Sequence, residues 1–255
     1  MILDQFNLEG KCGLVTGSGS GIGKGMAAGL AEAGARVALA ARNMDKLSKA
    51  ASEMTASGLD VFPFQVDMAK PDSISDLVKV VVKEFNHIDF LFNNAGMIHR
   101  APMEEFPLEK WEEMIKVNLT GPFLLSQAVA KHMIEKGIKG SIVNTSSLIA
   151  VFGGVTVPAY AATKGGLTQL TKSMCNDLAK YGIRVNAIGP GWVKTEMTQA
   201  IQNNPERFQS ISTRIPLGRW ANPEDLAGLA VFLASEASTY ITGQVIFIDG
   251  GYLSM

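Results

Sequence analysis

The sequence has few of the features that mark secreted, metal-binding or nucleic-acid-binding proteins. It contains only two cysteines, Cys12 and Cys175, among 255 residues, which argues against a disulfide framework or a zinc site. The formal net charge is −1 and the basic residues are scattered, so no patch is offered to nucleic acid or to an acidic membrane surface. The composition therefore favours a protein that acts on a small molecule without a metal.

Long apolar segments are also missing. The longest apolar stretch, residues 226–234, is far shorter than the roughly 20 residues that a membrane helix needs. The opening residues, MILDQFNLEGK, lack the basic segment that precedes the apolar core of a signal peptide. We therefore expect a cytoplasmic protein with no membrane partner.

The chain contains instead a regular alternation of short apolar runs and helical patterns. Continuous apolar runs are typical of parallel strands that are buried on both faces. Seven such runs cover residues 11–16, 36–41, 60–66, 88–92, 140–145, 183–188 and 244–248. Pro63 favours an edge position for the third run, and the longest helical pattern, 108–136, should bend near Gly121 and Pro122. The alternation predicts an α/β fold: a single doubly wound Rossmann-type domain over residues 1–255, with a seven-stranded parallel sheet and helices on both faces.

A glycine-rich segment follows the first run. Glycine lets the backbone turn tightly and approach a pyrophosphate, and the N-terminus of the following helix favours the negative charge. The spacing G-x-x-x-G-x-G differs from the G-x-G-x-x-G fingerprint and from the P-loop, so alone it could be a plain turn. Its position in the first strand–helix–strand unit predicts a dinucleotide site. The residues assigned to it are Gly17, Ser18, Ser20, Gly21, Ile22 and Gly23.

Arg42 follows the end of the second run. An NAD site would place an acidic side chain near this position for the ribose 2′-hydroxyl, whereas an arginine can pair with a 2′-phosphate. Arg42 therefore favours NADP(H), although Asp45 lies close by and NAD(H) stays open. The alternative interpretation is a solvated arginine at a helix start.

Polar and glycine residues also follow the later runs. Because the carboxyl ends of parallel strands meet at one edge of a sheet, these residues should lie beside the glycine segment. Those expected to contact the cofactor are Asp67, Met68, Asn94, Ala95, Gly96, Pro190, Gly191, Val193 and Thr195. Most are also common turn residues, so none is specific alone.

Tyr160 and Lys164 stand four residues apart in a helical pattern, which places both side chains on one face. A free tyrosine has a pKa of about 10, and a neighbouring ammonium group lowers it. We therefore expect Lys164 to bring Tyr160 toward the range in which it can act as a general acid or base, as carbonyl reduction requires. By spacing alone, most such pairs are surface decoration.

Together these residues resemble the classical short-chain dehydrogenase/reductases over essentially the whole chain. The matching positions are 16–23, Asp67, 93–96, Asn118, Ser147, Tyr160, Lys164, Asn186, Pro190 and Gly191. The resemblance implies an NAD(P)-dependent oxidoreductase in which Tyr160 is the general acid of reduction and the base of oxidation. It also implies that Lys164 holds the nicotinamide ribose, that Ser147 bonds the substrate oxygen, and that Asn118 holds a water linking Lys164 to solvent.

Within the family the chain resembles the sugar-acid 5-dehydrogenases, which act on gluconate and 2-dehydro-3-deoxy-gluconate. Residues 6–11, 97–100 and 214–220 carry this resemblance. It implies a ketone or secondary alcohol of a small sugar acid as substrate, with Arg100 near a carboxylate and Trp192 in the same site as Ser147 and Tyr160. Arg100 in a structural ion pair is the alternative. Reduction of a 3-oxoacyl-[acyl-carrier-protein] and a nucleotide-binding regulator or scaffold without chemistry remain the two other functions.

Residues 192–221 are the only long stretch without a clear buried pattern. The family often has a mobile lid over the substrate here, so we expect one within this range. The family is also mostly tetrameric, and a homotetramer is the expected assembly.

Overall fold

The computed structural model describes every residue from Met1 to Met255, and its centre is one parallel sheet. The strands lie in the order β3-β2-β1-β4-β5-β6-β7. They are β1 Cys12–Thr16, β2 Arg36–Ala41, β3 Val61–Gln65, β4 Phe90–Asn93, β5 Ser141–Thr145, β6 Arg184–Pro190 and β7 Val245–Ile248. The predicted fold class is confirmed, and Pro63 lies in an edge strand as expected.

Ten α-helices connect and cover the strands. They are α1 Gly21–Glu32, α2 Met44–Ala56, α3 Pro71–Phe85, α4 Leu108–Ile115, α5 Gly121–Lys136, α6 Ile149–Phe152, α7 Pro158–Leu178, α8 Gln199–Gln202, α9 Pro205–Ser212 and α10 Ala227–Ala234. No helix has both the length and the apolar composition that crossing a membrane requires.

Each face of the sheet carries its own hydrophobic core. On one face α1, α2 and α10 contribute residues such as Met26, Leu47 and Leu233. On the other face α3 and α5 contribute Leu77, Val81 and Val129, among others. Burial on both faces explains why the strands are continuously apolar.

The long helical stretch after β4 is irregular where a bend was expected. α4 and α5 are joined by a wider π-helical turn, Lys116–Thr120, which ends just before Gly121 and Pro122. Such turns inside α-helices frequently lie at functional sites. Here the turn contains Asn118, which is fully buried.

The segment after β6 leaves the sheet and returns to its own starting point. Its two ends meet in a parallel bridge between Val193 and Ala221. Between them, α8 and α9 pack through Ile201 and Ile211 against Trp220 in a third, small core that also includes Tyr252. The expectation of a stretch without a buried pattern is therefore only partly right, because 192–221 has a core of its own.

Candidate active site

The glycine segment between β1 and α1 lies directly on the turn that follows β4. A Cβ atom on Gly23 would come within 2.4 Å of the Gly17 carbonyl oxygen and of the Asn94 side-chain nitrogen. A Cβ on Gly17 would lie 2.8 Å from the Cα of Ala95, and its φ is +67°. Any larger residue would push the segment off the sheet edge, so this close approach requires glycine.

Hydrogen bonds fix the same junction. The Thr16 hydroxyl accepts from the backbone N–H groups of Asn94 and Ala95, at 3.0 Å each. The Asn94 amide donates to the carbonyl of Thr16 at 3.0 Å. The backbone of the glycine segment is therefore held rigidly before any ligand binds, as a phosphate site requires.

The side chain of Ser18, a residue assigned to the dinucleotide site, points away from the groove. It is fully buried, and its hydroxyl donates to the Val15 carbonyl at 2.9 Å and accepts from the Ala40 N–H at 3.0 Å. The side chain thus ties the glycine segment to β1 and β2 and faces the interior. The structure places the Ser18 side chain inside the loop and not at the groove surface.

A groove runs from the glycine segment to α7. Ten of the residues assigned to the cofactor line it: Gly17, Ser20, Gly21, Ile22, Asn94, Ala95, Gly96, Tyr160, Lys164 and Thr195. Thr145, Glu196 and Met197 also line it and were not foreseen. Glycines that a Cβ would displace, and the open N-terminal turn of α1, fit the phosphates of a dinucleotide.

The remaining cofactor assignments lie around this groove. Arg42 is exposed beyond the end of β2 and makes no ion pair, so it is free to meet a phosphate. Asp67 is half-buried, and its carboxylate accepts from the Ala69 N–H at 3.0 Å. Met68 is buried against Gly121. Neither Asp67 nor Met68 is a lining residue of the groove.

Tyr160 and Lys164 share one face of α7, as their spacing predicts. The Lys164 ammonium lies 5.5 Å from the centre of the Tyr160 ring and donates to the carbonyl of Thr145, at the end of β5. Lys164 is 3% exposed. The ammonium therefore lies between the Tyr160 ring and the carboxyl end of β5.

Burial, and not Lys164, dominates the ionisation of the tyrosine. Burial raises the pKa of Tyr160 to about 12, while Ser147 and the charge of Arg100 oppose the rise. Burial also lowers the pKa of Lys164 to about 8. The tyrosine pKa is thus raised where the spacing with Lys164 predicted a lowered one, because desolvation of the phenolate outweighs the opposing effects of Ser147 and Arg100. The phenol thus keeps its proton at neutral pH.

Ser147 and Asn118 flank the pair on two sides. The Ser147 hydroxyl is half-buried, lies close enough to affect the Tyr160 pKa, and accepts from the Ile149 N–H at 3.2 Å. The Asn118 amide forms two hydrogen bonds of 2.8 Å with the backbone of Met97, one as donor and one as acceptor. Asn118 therefore holds the chain that follows the β4 turn.

A second cavity adjoins the groove at Tyr160. Ser147, Trp192, Pro190, Gly191 and Val193 line it, as does Arg100, and no aspartate or glutamate does. The indole N–H of Trp192 is buried without a hydrogen-bond partner. The cavity thus combines apolar walls with an indole N–H donor, several hydroxyl groups and a cation.

Arg100 has no acidic partner in this cavity. It is half-buried and forms no ion pair, so the alternative of a structural pair is not what the structure shows. Desolvation lowers its pKa, and the positive charge of Arg207 lowers it further. Two neighbouring cations without a carboxylate between them favour the binding of an anion.

Comparison with known proteins identifies the family. Residues 17–253 match the family model described as Enoyl-(Acyl carrier protein) reductase. The chain is 44% identical over 251 residues to the 2-dehydro-3-deoxy-D-gluconate 5-dehydrogenase of Bacillus subtilis (strain 168), covering 98% of each chain. The chain belongs to the short-chain dehydrogenase/reductase family.

Other members of the short-chain dehydrogenase/reductase family give the same picture. The gluconate 5-dehydrogenase of Gluconobacter oxydans (strain 621H) is 40% identical, with 97% of this chain and 96% of the relative covered. A gluconate 5-dehydrogenase from Burkholderia cenocepacia J2315, crystallised in complex with NADP and tartrate, superposes with a TM-score of 0.96 at 40% identity over 100% of both chains. The predicted family resemblance and the class of NAD(P)-dependent oxidoreductase are confirmed.

Sequence reasoning missed several residues of the site in this short-chain dehydrogenase/reductase. Thr145 has a buried hydroxyl without a partner and lines both cavities. Its position at the last residue of β5 was a usable signal, since strand ends form the site. Glu196 and Arg207 lie in the irregular segment 192–221, where no pattern in the sequence indicates which side chains turn toward the cleft.

Proposed function

We propose that the protein is an NADP(H)-dependent oxidoreductase that transfers a hydride between nicotinamide and a ketone or secondary alcohol of a small sugar acid, in the manner of a gluconate 5-dehydrogenase. The observation that carries the proposal is Arg100, which is half-buried without an acidic partner in the cavity that Tyr160 and Ser147 line. A carboxylate on the substrate would pair with Arg100 while the carbonyl faces the phenol.

The bound nicotinamide would supply or accept the hydride, and the protein would supply the proton. Tyr160 would donate this proton to the carbonyl oxygen in reduction, since its raised pKa keeps the phenol protonated at neutral pH. Ser147 would donate a hydrogen bond to the same oxygen and stabilise its developing charge. In oxidation Tyr160 would act as the base.

Lys164 and Asn118 would position the cofactor and the chain around Tyr160. Lys164 lines the cofactor groove at the foot of Tyr160, where it would hold the nicotinamide ribose. Asn118 would fix the turn after β4 through Met97, and its link to Thr163 at 3.4 Å brings it next to Lys164. The water between Lys164 and solvent that the family resemblance implies would lie on this side of the helix.

The cofactor would lie along the groove with its phosphates on the glycine segment. Arg42 would pair with the 2′-phosphate, which favours NADP(H) over NAD(H). Asp67 and Met68 would contact the adenine end, and Val193 and Thr195 the nicotinamide end. Residues 192–221 would form the lid over the substrate, within a single domain that spans 1–255.

The names of the relatives support a sugar acid over an acyl thioester. The chain matches 2-dehydro-3-deoxy-D-gluconate 5-dehydrogenases and gluconate 5-dehydrogenases over 97–100% of its length. No observation on the cavity favours reduction of a 3-oxoacyl-[acyl-carrier-protein], and the complete set of Asn118, Ser147, Tyr160 and Lys164 argues against a regulator or scaffold without chemistry.

A homotetramer would cover two exposed apolar surfaces. One lies on α5, where Phe123 and Ile134 are 42% and 38% exposed. The other is the edge strand β7, whose Phe247 is 36% exposed. The two free cysteines and the soluble cofactor fit a cytoplasmic enzyme.

A substrate panel tests the proposal. NADPH and NADH oxidation would be followed with keto sugar acids, their uncharged analogues and 3-oxoacyl thioesters. We expect turnover with NADPH to be highest on a keto sugar acid and to fall when the carboxylate is replaced by an amide. Preference for thioesters, or equal rates with acid and amide, would overturn it.

A further inference from the structure

One ion pair joins the two sides of the cofactor groove. Lys46, in the first turn of α2, donates to Glu196 at 2.6 Å, and the two residues are 150 positions apart in the sequence. Glu196 lines the groove that also contains Gly17, Ser20 and Gly21. A carboxylate therefore lies at the edge of the cofactor groove, and Lys46 neutralises it.

The neighbours of these two residues show where the ion pair runs. A Cβ atom on Gly19 would lie 3.6 Å from the backbone of Leu47, which follows Lys46. A Cβ on Gly21 would lie 3.1 Å from the methyl group of Thr195, which precedes Glu196. The glycine segment is thus in contact with α2 on one side and with the start of the 192–221 segment on the other, and the ion pair links both beside it.

The energetics favour exchange of the partner when an anion arrives. The side chains of Lys46 and Glu196 are 41% and 72% exposed. An exposed ion pair of this kind stabilises a protein by only about 0–1 kcal/mol. A phosphate with two negative charges attracts an ammonium more strongly, and Glu196 returns to water at little cost because it is already largely solvated.

Lys46 also stands on the same connection as Arg42. Arg42 follows the end of β2, and Lys46 lies four residues later at the start of α2, where the Asn43 side chain accepts from the Lys46 N–H at 2.9 Å. Arg42 has no ion-pair partner, whereas Lys46 has one. Both cations therefore lie on the β2–α2 connection, where a 2′-phosphate would bind.

We infer that Lys46 exchanges Glu196 for the 2′-phosphate of NADPH and is, with Arg42, a specificity-determining residue for the cofactor. The inference rests on the proposed NADP(H) dependence. In this exchange Glu196 competes with the phosphate for Lys46, so the two partners of one ion pair have opposite effects on affinity.

The test is the dissociation constant of NADPH and of NADH for the full-length protein, measured by calorimetry or by nucleotide fluorescence. Lys46→Ala should raise the Kd of NADPH about 10-fold, because a hydrogen bond to a charged group is lost. Glu196→Gln should lower the Kd of NADPH about threefold, because the competitor is removed. Neither variant should change the Kd of NADH, which lacks the 2′-phosphate.

Asp60→Asn provides the matched control. It removes the same single charge from another exposed ion pair, with Arg36 at the opposite end of β2, at 3.1 Å. We expect no change in either dissociation constant. A decrease like that of Glu196→Gln would mean that net charge alone is responsible, and would overturn the inference.

Other results separate the inference from the proposal beneath it. If both Lys46→Ala and Glu196→Gln weaken NADPH, or neither changes it, the ion pair is only structural and the inference is wrong. If Lys46→Ala weakens NADPH and NADH equally, Lys46 meets the pyrophosphate instead. If the unmodified protein binds NADH better than NADPH and Arg42→Ala has no effect, the proposed cofactor itself is wrong.

Discussion

The two sides of the cleft present different kinds of surface. On the glycine side, the surface is mainly backbone, held by contacts that admit no Cβ at Gly17 or Gly23. On the side that includes the proposed lid, the lid side, the cavity surface consists of single side chains such as Arg100 and Trp192, which reach the cavity from separate parts of the chain. A backbone surface depends little on side-chain identity, whereas a surface of single side chains changes with each substitution. The difference suggests where substitutions should act on cofactor binding and where on substrate choice.

Tyr160 lines both the cofactor groove and the second cavity. Loss of its hydroxyl should therefore lower the rate of the chemical step and not the affinity for one ligand. We expect Tyr160→Phe to lower kcat about 1,000-fold, because a general acid contributes roughly 10²–10⁴. NADPH affinity should be nearly unchanged, because only the hydroxyl is removed. Steady-state kinetics and a binding titration measure the two effects. Tyr181→Phe, at a tyrosine that is 44% exposed, is the control and should leave both unchanged.

The buried cation Lys164 should make the stability of the protein depend on pH. Lys164 is buried and its pKa is lowered from 10.5 to about 8, so the unfolded chain binds its proton more tightly than the folded one. The contribution of Lys164 to the free energy of unfolding should therefore be lowest and constant below pH 8 and should rise with pH between 8 and 10.5, by up to about 3 kcal/mol. Urea denaturation of the wild type and of Lys164→Met at several pH values isolates this contribution. Parallel curves for the two proteins would contradict it.

The glycine side should fail when one Cβ is added. Gly23→Ala would place that atom 2.4 Å from the Gly17 carbonyl, so the segment must move off the β4 turn. We expect the Kd of NADPH to rise about 50-fold, since a forced shift of a packed backbone costs roughly 1–3 kcal/mol. Gly228→Ala is the matched control, because nothing lies within 4 Å of a Cβ there. It should keep NADPH affinity and raise thermal stability slightly, as alanine favours the helix.

These contrasts also explain what the sequence could reveal. The alternation of runs predicts the sheet, and the rule that ligands lie beyond strand ends predicts that Gly17, Asn94 and Thr195 lie together, as they do in the groove. Such inferences succeed because they use local patterns and one rule of topology. They could not predict the orientation of the Ser18 side chain, because its inward hydroxyl depends on the exact path of the backbone between β1 and β2.

Properties that depend on distant residues could not be foreseen. The spacing of Tyr160 and Lys164 is correct, yet the tyrosine pKa rises because burial, which spacing does not encode, decides it. The pairing of Lys46 with Glu196 and the approach of Arg207 to Arg100 arise from how 192–221 folds back on the sheet. The lid side was therefore the less predictable half of the site.

Arg100 offers the means to separate substrate recognition from chemistry on the lid side. Arg100→Met keeps an apolar side chain of similar length and removes the charge. We expect kcat/KM for a keto sugar acid to fall about 30-fold, because a charged hydrogen bond contributes roughly 1.5–3 kcal/mol. Turnover of the uncharged amide analogue should be nearly unchanged, and Arg100→Lys should recover part of the loss.

Arg207, within the proposed lid, should have a smaller effect than Arg100. It is exposed, so water screens its charge, and Arg207→Met should lower kcat/KM for the keto sugar acid only about threefold. Added salt should shrink that difference, whereas the effect of half-buried Arg100 should persist. An equal loss for both arginines, or a loss that extends to the amide, would mean that the lid acts through its fold and not through its charges.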